Sequence, residues 1–143
     1  MKKQIKFLST LIILSLTIIS MNSCNKEEDE MRNPSISFKT GGSYISSSTS
    51  VTAGDAVLIG IEAEKAEGEE EDVLQHFNIS KSVNGGAATT VYDVDLTAAE
   101  EDVYDYDFNT TASTTVGDTE KYTFTVTNRD GLIGQVSLTI TAQ

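Results

Sequence analysis

From Pro34 to the C-terminus the chain alternates apolar and polar residues with a period of two, and no other feature limits its fold so tightly. In KYTFTVTN, Tyr122, Phe124 and Val126 stand against Thr123, Thr125 and Thr127; in VYDYDFN, Tyr104, Tyr106 and Phe108 stand against Asp105, Asp107 and Asn109. Successive side chains of an extended chain point to opposite faces, so each run predicts a strand with one buried and one wet face. The same pattern sets Ile36 and Phe38 together in PSISFK, and Val57, Ile59, Ile61 and Ala63 in AVLIGIEAE. It groups Phe77, Ile79 and Val83 in LQHFNISKSV, Tyr92, Val94 and Leu96 in TTVYDVDL, and Val136, Leu138 and Ile140 in LIGQVSLTITA. The Ser-rich SYISSSTSV reads as an edge strand or an irregular crossing. Turn signals separate the runs: Gly41-Gly42, TAGD, RDG, and Asn84-Gly85-Gly86, whose first two residues accept the positive φ of a tight hairpin.

Seven strands with an eighth possible, and no helical periodicity in this region, predict an all-β domain: an immunoglobulin-like antiparallel β-sandwich spanning residues 34–143. The segment GDTEKYTFTVTNRDG, in which a Tyr opens an alternating strand that ends in a polar turn and Gly, resembles a strand passage in polycystic-kidney-disease-type and related bacterial surface domains. That resemblance covers about fifteen residues and implies fold, since sandwiches of this kind host many unrelated functions. Tyr122 is either a tyrosine-corner residue, its hydroxyl tying a chain crossing, or an ordinary core aromatic.

Residues 1–23 read differently. MKKQIK supplies three lysines and FLSTLIILSLTIIS an apolar run broken by Ser9, Thr10, Ser15 and Thr17. A basic start followed by a short apolar stretch is a signal peptide, since a membrane-spanning helix needs about 20 apolar residues. Cleavage removes Lys2, Lys3 and Lys6, leaving seven of the ten basic residues against 22 acidic ones, a formal charge of −15. Such a surface repels phosphate backbones and anionic headgroups, which excludes nucleic acid as a partner.

The single cysteine, Cys24, follows this leader and the small Ser23, and with one thiol no intrachain disulfide can form. MNSC resembles the lipobox of bacterial lipoproteins, although Met21 and Asn22 depart from the commoner Leu-Ala/Ser pair. The resemblance implies acylation of Cys24 and a membrane partner through the lipid anchor, each buried CH₂ contributing about 0.8 kcal/mol. The following CNKEEDE resembles the export signal of Bacteroidetes-type surface lipoproteins, with Lys26, Glu27 and Glu28 in the places that direct the protein to the outer face. On that resemblance, residues 24–33 form an acidic tether and the expected location is the cell surface. A block of like charge also serves simply to hold a domain off a membrane.

No pattern of catalytic chemistry stands out. His76 is the only histidine, no nucleophile elbow surrounds any Ser, and Walker or dinucleotide glycine loops are missing. His76 reads as a strand-surface residue and the chain as a non-enzymatic one without a cofactor. Carboxylates are the loaded group: seven acids lie between Glu62 and Asp72, and Asp93, Asp95, Asp105 and Asp107 would share one face if YDVDL and VYDYDF paired as a hairpin. That pairing makes these four the calcium candidates, against the alternative of solvated acid that discourages edge-to-edge association. Carbohydrate recognition needs exposed aromatic platforms, and only Tyr44 is free to face solvent in this reading. The expected role is adhesion, recognition or assembly toward a protein or glycan partner at the cell surface. The alternatives are an accessory glycan-binding subunit of a polysaccharide-capture system and a periplasm-facing envelope scaffold.

Overall fold

The computed structural model describes residues 32–66 and 72–143; Cys24, Lys26, Glu27 and Glu28, the signal peptide and most of the tether lie outside the described residues, as do Glu67, Glu69, Glu70 and Glu71. Eight strands are present: β1 (Ser35–Phe38), β2 (Thr49–Val51), β3 (Ala56–Glu64), β4 (Leu74–Val83), β5 (Thr89–Asp95), β6 (Val103–Thr111), β7 (Thr119–Asn128) and β8 (Ile133–Ala142). They form a three-stranded sheet of order β1-β3-β6 and a five-stranded sheet of order β2-β8-β7-β4-β5. Two sheets built by hairpins and by crossings between layers make an immunoglobulin-like sandwich.

The period-two pattern explains which face each strand buries. Val57, Ile59, Ile61 and Ala63 of β3 meet Phe77 and Ile79 of β4, Tyr122, Phe124 and Val126 of β7, and Leu138 and Ile140 of β8 in one core. Phe124 lies near its centre, with Phe38 edge-on at 5.6 Å and Phe108 edge-on at 6.1 Å. Edge-to-face rings place a positive edge against a negative face, which adds to the burial of their area.

The β4–β5 hairpin turns as its sequence requires. Asn84 and Gly85 hold φ of 51° and 72°, the paired positive values that suit the right-handed twist of a hairpin. The turn is tied to the start of β7, because Asn84 Nδ2 donates to Asp118 at 2.8 Å and the Thr119 amide donates to Asn84 Oδ1 at 2.9 Å.

Three local expectations need correction. β2 pairs with β8 in parallel, so the sandwich is not wholly antiparallel. Val83 is 41% exposed and does not join Phe77 and Ile79, because the core along β4 ends at Ile79 and the next inward residue, Lys81, pairs with Glu120. The third concerns β5 and β6, which do not form a hairpin. β5 pairs with β4 and β6 with β3, so residues 96–102 carry the chain from one sheet to the other.

Candidate functional site

The crossing from β5 to β6 leaves both strands as sheet ends on the same side of the sandwich. Their inward-facing residues close that side as an aromatic seam. Tyr92 of β5 meets Tyr106 of β6 with ring centroids 4.4 Å apart, and Tyr104 stacks on Tyr106 at 6.2 Å. Burial, and after it hydrogen bonding to Tyr92, raises the hydroxyls of Tyr104 and Tyr106 above the ordinary tyrosine range, so both stay neutral at physiological pH.

The four candidate aspartates do not come together. Alternation turns Asp93 and Asp95 to the outer face of the five-stranded sheet, and Asp105 and Asp107 to the outer face of the three-stranded one. The hairpin that would have gathered them cannot form, because the aromatic residues between them belong to the core that separates the sheets. Among the described residues no three His, Cys, Asp or Glu side chains are placed to hold a metal ion.

Each pair has its own neighbours. On the five-stranded sheet His76 of β4 lies between the carboxylates, Nδ1 at 2.9 Å from Asp95 and Nε2 at 3.5 Å from Asp93. It is a strand-surface residue, as its sequence context suggests, and cross-strand register explains its partners: His76 sits opposite Asp95 and Asn78 opposite Asp93. Asp93 and Asp95 keep 59% and 92% of their side-chain surface exposed.

On the three-stranded sheet the acids are engaged. Lys39 Nζ lies 3.1 Å from Asp107 and 3.4 Å from Asp105, and the Tyr44 hydroxyl donates to Asp107, at 2.9 and 3.0 Å from its two oxygens. The hydrogen bond from Lys39, then that from Tyr44, holds the Asp107 carboxyl below the usual aspartate range. Partial burial pulls the Lys39 ammonium down, but Asp107 and Asp105 outweigh it and leave it raised. Tyr44 is therefore not a free aromatic platform: it clasps the β1–β2 crossing to the sheet. Gly60 makes room for the clasp, since a Cβ there would stand 2.7 Å from both Lys39 Cδ and Tyr44 Cε1.

Two buried polar groups escaped the sequence reading. Glu120 is 4% exposed, ion-paired to Lys81 and accepting from the Ser113 amide at 3.1 Å. Burial lowers the Lys81 ammonium, but the hydrogen bond to Glu120, together with the charge of Glu120 and the neighbouring Tyr122, leaves it raised. Asn128, 1% exposed, donates to Asp72 and accepts from the Leu132 amide at 2.7 Å, which ties the β7–β8 turn to the end of the acidic loop. Parity could have found Glu120 and Asn128, because both share the inward register of Tyr122, Phe124 and Val126. The hydroxyl of Tyr122 lies 3.5 Å from Thr110 Oγ1 on β6, a contact between sheets within the core and not an upstream corner.

No known protein family and no curated protein matches the sequence. Solved structures share its fold. The superoxide reductase (neelaredoxin) of Ignicoccus hospitalis is 10% identical, with 78% of this chain and 81% of that one covered and a TM-score of 0.54. A point variant of the same reductase gives 0.53 at 10% identity over 82% of this chain and 85% of that one. The sporulation control protein Spo0M of Bacillus subtilis gives 0.50 at 8% identity over 79% of this chain and 50% of that one.

These likenesses are of fold, and they correct one expectation. Missing motifs argue against catalysis, yet superoxide reductases are enzymes built on this architecture, so the fold is no ground for a non-enzymatic reading. The physical reason is that a site assembled from several strands leaves no contiguous motif, and chemistry belongs to such sites and not to the scaffold.

Proposed function

We propose that this chain is a surface lipoprotein whose sandwich serves adhesion, recognition or assembly. The observation that carries the reading is the arrangement around Cys24: the only thiol, placed directly after an apolar leader and Ser23 and directly before Asn25, Lys26 and four acids. A membrane-anchored domain of strong negative charge stays soluble beside an anionic surface and meets its partners through its faces and edges. The compact sandwich beginning close behind the acidic tether suits display at a distance from the lipid.

Lipidation and orientation are tested separately. Cys24→Ala is expected to move the protein from the membrane fraction to the soluble one; a variant still held in the membrane after cleavage would end the lipoprotein reading. Protease treatment of intact cells is expected to remove the domain. A domain protected until the outer membrane is opened would instead mark the periplasm-facing scaffold.

A further inference from the structure

We propose that the free edge of β5 is a strand-addition site for an extended segment of a partner protein that carries lysine or arginine. This rests on reading the domain as a recognition module, and it names the surface and the partner chemistry.

Backbone geometry sets out the edge. Leu96 N–H donates to the Gln75 carbonyl of β4 at 2.8 Å, and backbone groups along an antiparallel strand alternate in direction. Tyr92 and Val94 therefore also turn their amides and carbonyls toward β4, and Asp93 and Asp95 turn theirs toward the open edge. Among the described residues no strand pairs with that side of β5. Exposed edges of this kind accept another strand, with backbone hydrogen bonds supplying affinity and side chains supplying choice.

Charge decides the occupant. A second copy paired antiparallel through β5 would bring Asp93 and Asp95 near their own counterparts, and like charges across a strand pair are destabilising. The mature chain's charge of −15 adds to that repulsion. A cationic strand reverses the sign: its Lys or Arg side chains on the outer face meet Asp93 and Asp95, which are well exposed beside His76 and Asn78. Val91, 43% exposed two residues before Asp93, adds an apolar contact. The β6 edge carries the related pattern Val103, Asp105, Asp107, but Lys39 and Tyr44 already hold its acids, which makes β5 the site for a cation.

The probe is a short synthetic peptide alternating lysine with threonine and valine, titrated into the full chain in detergent, with a glutamate-for-lysine peptide as comparison. The lysine peptide is expected to bind and to slow hydrogen exchange at the Asp93 and Asp95 amides. Asp93→Asn combined with Asp95→Asn should weaken it about tenfold, the equivalent of about 1.4 kcal/mol. Asp93→Pro removes an edge-facing N–H without touching the β4 ladder and should abolish binding with little change in melting temperature. If that variant fails to fold, the asparagine pair and the exchange map decide the matter. No binding, equal binding of both peptides, or protection centred on another strand would overturn the proposal. Concentration-dependent protection of Asp93 and Asp95 without peptide would make the occupant a second copy and overturn it as well. None of these results touches surface display, which the Cys24 and protease experiments test independently.

Discussion

Gly60 shows how one missing side chain shapes a surface. Tyr44 and Lys39 lie across it and reach Asp107, so Gly60→Ala is expected to push the clasp aside and cost about 1–3 kcal/mol, the usual range for forced overpacking, measured by denaturant unfolding. The clasp should also respond to pH. Asp107 titrates lower in the folded chain, so its contribution is present above the ordinary aspartate range near pH 4 and is lost as pH falls through the lowered value. The ring signals of Tyr44 should report that loss in an acid titration. Glu120 is the more demanding residue, since its carboxylate is buried with Lys81 as its ion-pair partner. Removing the partner alone by Lys81→Ala strands the charge and is expected to cost about 3 kcal/mol, whereas Lys81→Met with Glu120→Leu should recover most of it. A double-mutant cycle in urea measures both.

At the level of elements, parity made nearly every inward residue readable. Ile59, Ile61, Phe77, Phe124 and Ile140 are all buried where alternation puts them. Local turn chemistry was equally legible at Asn84 and Gly85. Gly85→Ala, which forces a Cβ into a φ of 72°, is expected to destabilise the domain by more than about 1 kcal/mol, and differential scanning calorimetry would register the drop. The separation of β5 and β6 into different sheets was not legible. Adjacent strands joined by TAAEED look like a hairpin from sequence, but a link of this length can equally cross between two sheets, and nothing within either strand distinguishes the two. Strand order follows from which partners bury the shared aromatic face, here Phe77, Tyr104 and Phe124. The same separation predicts that millimolar calcium leaves the melting temperature unchanged, since Asp93 and Asp95 lie across the sandwich from Asp105 and Asp107. A clear upward shift would show that the acids act in another arrangement.

For the molecule as a whole, the two ends of the chain were readable to different depths. The leader, Cys24 and the acids behind it are proposed as a linear signal, of the kind read from contiguous residues before any fold exists, so the residues alone carry the proposal of where the protein works. The sandwich was also written into sequence, because a period of two with short turns leaves two packed sheets as the natural way to bury one face of every strand. Candidate surfaces were a different matter. His76 reached Asp93 and Asp95, and Lys39 reached Asp105 and Asp107, only once strands distant in sequence had been set in register. The exclusion of enzyme chemistry failed for the same reason, having been drawn from contiguous motifs alone. By itself the sequence determined the strand faces and the tight turn, and it carries the address as a proposal. Only the tertiary structure decided which acids are neighbours, which aromatic is a clasp and which edge is open, because those properties depend on strand order, and strand order is set by long-range packing that no local pattern encodes.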